Sequence, residues 1–404
     1  MALYTSQQVS QKWRRCEVSE ETVLDDPFIL DQLRSAPETR ATIERHLGSI
    51  RKLLDLLPED VARGYRGWCL DPEFYRFASE AFHQGRILYW LATASKFRNV
   101  ADIGRLFVAR QIIRPSGLNS TPRIKSAGDI EFIVYPAPST AWLYELMSIL
   151  VCERSRQELL SGKLEEYVLF LLAYRAYTMA ADFQTAFGID YLIDEIVLKG
   201  GLPHPSHPVS GEAAFLIQAV EDFVINHEIA HALLEHRDAS TPNNVIEAEA
   251  DNLAIELMLA EFVKDLPDEG EHQLTVPDRP LIGYLCLNLW GLFRETAEWR
   301  ASMFLADTPE KMAQIRDRTR KLKDARLARI RDVPLFSGVV ATDQARDIID
   351  AGLRVNERFQ YLQLDRGRAE GVVRLSRTLA QRDYSVLRQE ILDETARVKR
   401  EMSP

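Results

Sequence analysis

The sequence predicts a mainly α-helical protein with a small β-sheet, an α+β fold. Apolar residues recur at three- and four-residue spacing through most of the 404-residue chain, as they do on the buried face of a helix. Strand signals are few, and the clearest is residues 130–135, which are rich in β-branched and aromatic side chains and precede two prolines. A weaker segment at 188–198 is compatible with either strand or helix. The helical spacing is clearest in residues 50–57, 141–151, 164–180 and 281–292.

The length of the chain and its turn signals suggest three regions. A chain of 404 residues is longer than one ordinary hydrophobic core requires. Turn-forming residues cluster at 117–128, and a further turn-rich stretch lies at 334–338. We predict an N-terminal helical region at residues 1–120, a central core at 121–306 and a C-terminal helical region at 307–404.

Charge and cysteine content exclude several classes of protein. With 50 basic and 60 acidic residues the net charge is −10, which disfavours general binding to nucleic acid or to anionic membranes. No apolar stretch approaches the ~20 residues of a membrane span, and the N-terminus lacks the apolar core of a signal peptide. The four cysteines are far apart and form no CxxC pair, which indicates reduced thiols. We therefore expect a soluble cytoplasmic protein.

The segment 210–236 predicts a buried helix that carries a His-Glu-x-x-His motif. Ser210 suits the N-cap, and apolar side chains occur almost all round the helix. His227 and His231 are four residues apart, so they share one face and both reach a single metal ion at about 2.0–2.1 Å. Glu228 lies beside them, within reach of a metal-bound water without being a ligand itself.

The next predicted helix supplies a third metal ligand. It starts at Thr241 and Pro242, which suit the N-cap and the first helical position. Glu247 and Asp251 again share a face, whereas Glu249 lies on the side expected to face solvent. We therefore predict Glu247 as the ligand in preference to Glu249. Asp251 is placed to accept the free N–H of a ligand imidazole.

The two segments HEIAHALLEH and EAEADNLAIELML together resemble the gluzincin metallopeptidases, in particular the ImmA/IrrE-type and Lit-like bacterial peptidases. The resemblance covers roughly residues 213–263. It implies a zincin-like catalytic core with large helical flanks, and a zinc ion held by His227, His231 and Glu247. It also implies that Glu228 is the general base, and it suggests a role in stress response or phage defence.

These observations predict a zinc metallopeptidase that cuts peptide bonds in a restricted protein substrate. A zinc-bound water would be the nucleophile and Glu228 would take its proton. The alternative is a non-catalytic helical regulator that binds a partner protein and has a structural or degenerate metal site. Structural zinc is usually closed by four protein ligands, and Glu228 would have no use there, which favours catalysis.

Four neighbouring features allow two interpretations each. His204 and His207 either rim the cleft and stabilise an oxyanion, or are turn residues. His236 would point about 140° from His231 on a continuous helix, which favours a helix-end role off the metal face. The strand at 130–135 is either an edge to which a substrate pairs or a core strand. The basic segment 307–332, with nine Lys and Arg against five Asp and Glu, is either a solvated helix face or a docking surface.

Overall fold

Helices dominate the architecture, as the sequence predicts. The computed structural model contains eleven α-helices and two short 3-10 helices, at Pro72–Phe74 and Val100–Ile103, within the residues it describes. The α-helices are α1 (Pro37–Leu54), α2 (Glu59–Cys69), α3 (Ala78–Ala94), α4 (Ala137–Arg154), α5 (Leu160–Ala180), α6 (Gly211–Leu233), α7 (Asn243–Leu259), α8 (Arg279–Leu305), α9 (Pro309–Arg331), α10 (Asp343–Tyr361) and α11 (Arg366–Ala380). The described residues are 37–75, 77–103, 105–111, 122–127, 130–155, 160–180, 211–236, 243–260, 279–306, 308–331, 343–380 and 393.

The three strands form one small mixed sheet. They are β1 (Arg105–Gln111), β2 (Arg123–Ala127) and β3 (Ile130–Pro136), in the spatial order β1-β3-β2. β3 pairs in parallel with β1 and antiparallel with β2. Its residues Ile130, Phe132 and Ile133 are fully buried, which explains the strong apolar signal of this strand.

The pairing of β3 settles the role of the strand at 130–135. The strand prediction is confirmed, but the suggestion that it offers a free edge to a substrate is wrong. Both of its edges are occupied, and a backbone already paired on both sides has no groups left for another strand. Within the described residues, the two edge strands are β1 and β2. The other strand candidate, 188–198, lies outside the described residues.

The helix α8 is the centre of the packing. It is 27 residues long, is buried along most of its length, and packs against α5, α6, α9 and α10. Gly283 allows its close approach to α6, because a Cβ built there would lie 2.5 Å from the carbonyl oxygen of Ala219. The position of α6 therefore depends on a residue without a side chain.

A buried ionic cluster fixes α6 against α3 and α8. Asp222, which is 2 % exposed, accepts hydrogen bonds from Arg86 of α3 and Arg279 of α8. Its neighbour Glu221 also pairs with Arg86, and the Nε2 atom of His83 lies 3.7 Å from Glu221. Burial alone would raise the pKa of Glu221, but His83 and Arg86 lower it to about 2.

One hydrophobic core includes residues from all three predicted regions, among them Ile50, Phe132, Leu285 and Phe359. The boundaries at residues 120 and 306 stay predictions, and β1 pairs with β3 across the first of them. Within the described residues, no helix combines the length and the apolar character needed to cross a membrane.

The substitution Gly283→Ala is expected to lower the free energy of unfolding by about 1–3 kcal/mol. The new methyl group would clash with the backbone of α6, and the clash is relieved only if the whole helix shifts. The matched control is Gly371→Ala in α11, where nothing lies within 4 Å of an added Cβ. The control should be neutral or stabilising by up to about 1 kcal/mol. Urea unfolding measures both, and equal values for the two variants would contradict the close-packing argument.

The pKa of Glu221, lowered from 4.5 to about 2, predicts a pH-dependent contribution to stability. The folded state favours the ionised carboxylate, so the contribution is complete above about pH 5 and disappears as the pH falls towards 2. Glu221→Gln should destabilise by up to about 3 kcal/mol at neutral pH and by progressively less in acid. Unfolding measured at several pH values tests this, with the exposed Glu44→Gln as control. A penalty that stays constant down to pH 3 would exclude this role for Glu221.

Candidate metal centre

The helices α6 and α7 pack side by side and bring the predicted ligands together. Ala250 and Ala254 of α7 are fully buried, and such small side chains allow a close approach between helices. One donor atom from each of His227, His231 and Glu247 lies within 4.8 Å of the other two. The helical spacing of four residues therefore produces the cluster that the sequence predicts.

The separations between these donor atoms fit a small divalent cation. The Nε2 atoms of His227 and His231 are 3.0 Å apart. The Glu247 carboxylate oxygens lie 3.4 Å from the Nε2 atom of His227 and 3.9 Å from that of His231. Donors at about 2.0–2.1 Å from a tetrahedral zinc ion would be about 3.3 Å from one another. Two imidazoles and one carboxylate are also a donor set that zinc commonly takes.

The charges within the cluster favour a state in which only one of the two imidazoles is protonated. Burial opposes a charge on His227, but its contacts with Asp251 and Glu247 raise its pKa to about 10. Burial and the neighbouring charge of His227 lower the pKa of His231 to about 4. The contact with His227 also lowers the pKa of Glu247. A bound cation would take the place of this proton, since metal ligands must be deprotonated.

The Asp251 carboxylate orients the imidazole of His227. Its Oδ1 atom lies 2.9 Å from the Nδ1 atom of His227, although the ring N–H is not aligned as in a regular hydrogen bond. This contact leaves the Nε2 atom of His227 directed at Glu247 and His231. The short separation between Nδ1 and Oδ1 is the one expected for a carboxylate that supports a metal ligand.

The structure places His236 against the site, contrary to the sequence prediction. The helix α6 ends at Leu233, and Glu235 adopts a left-handed conformation with a φ of 51°. The N–H of His236 bonds to the carbonyl of His231, and that of Glu235 to the carbonyl of Ala232, which together form a Schellman motif. The chain turns back here, so the angle expected for a continuous helix does not apply.

His236 therefore supports the imidazole of His231. Its Nδ1 atom lies 3.0 Å from the Nδ1 atom of His231, and its Nε2 atom lies 3.1 Å from a carboxylate oxygen of Glu249. With the Nε2 atom of His231 directed at the cluster, its Nδ1–H donates to His236, and the Nε2–H of His236 donates to Glu249. Glu249 is exposed, as the sequence predicts, but it has this second role that helical periodicity does not reveal.

The Glu228 carboxyl lies beside the cluster and is 6 % exposed. Burial raises its pKa to about 7, with the charge of Glu247 adding to the rise and the charge of His227 opposing it. A hydrogen bond from the backbone of Ile124 also lowers the pKa. Ile124 belongs to the edge strand β2, so this edge of the sheet reaches the site directly.

A cavity of about 570 Å³ opens onto the cluster. One wall consists of the α6 and α7 residues already described, together with Glu131 of β3 and Pro122 and Ile124 at β2. The rest of the lining comes from α8 and α9 and was not anticipated from the sequence. Its residues are Leu287, Trp290, Gly291, Arg294, Arg326 and Arg329. His204 and His207, the predicted rim residues, lie outside the described residues.

The geometry defines the class of site: a cluster of three side chains that could hold a metal ion, beside a buried carboxyl group and a cavity. No family model, curated protein or solved structure matches the chain. The assignment of the centre therefore depends on the geometry of these residues and on the resemblance of their motif.

The substitution His236→Phe is expected to weaken zinc binding by about 10- to 100-fold, because it removes the hydrogen-bond partner of His231 and keeps an aromatic ring at that position. Competition with a chromophoric chelator measures the affinity. The control is His46→Phe, a histidine of α1 that packs against Phe82 away from the site. Equal zinc affinities for the two variants would exclude His236 as a support of the metal ligand.

Proposed function

We propose that the chain is a zinc metallopeptidase, an endopeptidase that hydrolyses peptide bonds in a restricted protein substrate. The observation that carries this proposal is the position of Glu228, a buried carboxyl group with a pKa of about 7 beside the three-ligand cluster and the cavity. A general base is most effective when its pKa lies near the working pH. His227, His231 and Glu247 would hold the ion.

Zinc bound at such a site lowers the pKa of water towards ~7 and polarises a carbonyl group. The side chains of the chain itself do the remaining work. The Glu228 carboxylate accepts a proton from the attacking water and then donates it to the leaving amine. Asp251 and His236 keep the two imidazoles in the orientation that directs both Nε2 atoms at the ion.

The edge strand β2 offers a way to orient the substrate. An extended peptide that pairs with a sheet edge gains main-chain hydrogen bonds independent of its side chains. Pro122 and Ile124 line the cavity, and the backbone of Ile124 already bonds to Glu228. A peptide held along β2 would therefore pass close to the general base.

Three observations favour catalysis over a purely structural metal site. A structural zinc ion is normally enclosed by four protein ligands, whereas the described residues supply three. The cavity adjoins the cluster, so a substrate group has room to approach. A non-catalytic regulator would also have no use for a carboxyl group buried beside the cluster, because its burial is costly.

We also place the protein in the cytoplasm, with a role in stress response or phage defence. The buried thiols of Cys69, Cys152 and Cys286 form no disulfide, which suits a reducing compartment. The biological role is supported by the resemblance of the motif to ImmA/IrrE-type and Lit-like peptidases. A regulatory protein partner for the helical flanks is part of the same proposal.

Wild-type protein and Glu228→Gln should each carry one zinc ion, whereas His227→Ala should carry none. Glu228→Gln should cut peptide bonds about 10²- to 10⁴-fold more slowly than wild type, because it retains the ligands and lacks the base. Metal content is measured by elemental analysis. Cleavage is measured as new termini in a proteome-derived peptide library, read by mass spectrometry.

Metal content tests the proposed metal site, and cleavage tests the proposed hydrolysis, so the two claims can fail separately. A wild-type chain that takes up no zinc would overturn the metal site. A zinc-loaded wild type that produces no more new termini than Glu228→Gln would overturn the hydrolysis. Glu256→Gln, which removes an exposed carboxylate from α7, is the control and should leave metal content and cleavage unchanged.

A further inference from the structure

The part of the cavity lining that comes from α8 and α9 carries three arginines. Arg294 comes from α8, and Arg326 and Arg329 come from one face of α9. These two belong to the basic segment at 307–332, for which the sequence suggested either a solvated face or a docking surface. Their side chains line the cavity that the proposed active site uses.

The three guanidinium groups have few hydrogen-bond acceptors among the described residues. Arg294 is 6 % exposed, and its Nε and Nη1 atoms have no hydrogen-bond acceptor. Arg326 reaches Glu295 and Asn288 only at 3.4 Å each. Arg329 forms no ion pair among the described residues, but its charge helps to lower the pKa of Glu247. Arg294 also packs over the ring of Trp290. A bound anion would supply the acceptors that its Nε and Nη1 atoms lack.

The local charge of this wall is positive. Burial lowers the pKa of Arg326, and the charges of Arg294 and Arg329 lower it further, against the opposing charge of Glu295. Glu131, Glu228, Glu247 and Asp251 also line the cavity, but they belong to the wall that would hold the cation. A bound divalent ion offsets much of their charge and leaves the arginines facing the cavity.

Gly291 makes the position of Arg326 feasible. A Cβ at residue 291 would lie 2.7 Å from both the Cζ and the Nε atoms of Arg326. The guanidinium group therefore lies directly over the backbone of α8, in a space that any other residue would occupy. Glycine inside a helix is unfavourable, and here its missing side chain leaves the space that the guanidinium group occupies.

We propose that Arg294, Arg326 and Arg329 form a subsite that binds a carboxylate of the peptide substrate. This inference rests on the proposed function and narrows it to substrates with an acidic side chain or a chain-terminal carboxylate near the scissile bond. The guanidinium fork suits a carboxylate because it donates two parallel hydrogen bonds. The subsite would set both the specificity and the register of the bound peptide.

The test uses zinc-loaded, full-length Glu228→Gln protein, which does not consume the probe. The probes are alanine-based hexapeptides with blocked termini that carry one glutamate at each position in turn, the same peptides with glutamine, and the glutamine peptides with a free C-terminus. Binding is measured by calorimetry. At least one glutamate or free-acid peptide should bind about tenfold more tightly than its neutral counterpart.

Three variants show whether the arginines cause the preference. Arg294→Met, Arg329→Met and Gly291→Ala should each reduce it to about threefold or less. Gly291→Ala does so without removing a charge, because it displaces the flexible end of Arg326. Arg320→Met is the matched control, since Arg320 lies on the exposed side of α9 and pairs with Asp317. The control should keep the full preference, and thermal unfolding verifies that every variant is folded.

The outcomes are distinguishable from those for the proposed function. Equal binding of acidic and neutral peptides, or a preference that persists in Arg294→Met and Arg329→Met, would overturn the subsite even if the wild type cleaves peptides. An arginine-dependent preference supports the subsite even if the wild type cleaves nothing. The free-acid peptides show whether the carboxylate comes from the chain terminus, and the glutamate scan shows whether it comes from a side chain.

Discussion

The ionic cluster around Asp222 is the interaction on which the proposed metal centre depends. It lies between one and two turns before His227 on the same helix, and it ties α6 to α3 through Arg86 and to α8 through Arg279. Burying one carboxylate between two guanidinium groups is favourable only when every group keeps its partner. Loss of one partner would therefore disturb the position of α6, and with it both histidines, at a distance from the site itself.

The ligand cluster follows from local rules and could be predicted from the sequence. His227 and His231 share a face because four residues complete about one helical turn. The same rule separates Glu247 from Glu249 on the next helix, and the structure brings the first of these to the histidines. What the sequence could not provide was the packing of α6 beside α7, although the buried alanines of α7 indicated a close approach.

The parts that sequence analysis missed depend on non-local or irregular geometry. His236 was expected away from the metal face because a continuous helix was assumed, and the left-handed residue that ends this helix is a glutamate where glycine would have signalled the turn. The β-branched and aromatic residues at 130–135 predicted a strand but gave no information on which strands it would pair with. In the sequence, Arg326 and Arg329 cannot be told from other charged residues of the segment. Their position at the cavity depends on the packing of α9 on α8.

The size of the cavity has a consequence for what the proposed enzyme would recognise in a cell. A space of about 570 Å³ between helices accommodates a short extended stretch of chain and not a folded domain. A target would have to present its cleavage site in a tail, or in a region that opens by local unfolding. The lifetime of a target would then depend on its own conformational stability, and a stress that loosens its structure would expose it without any change in the peptidase.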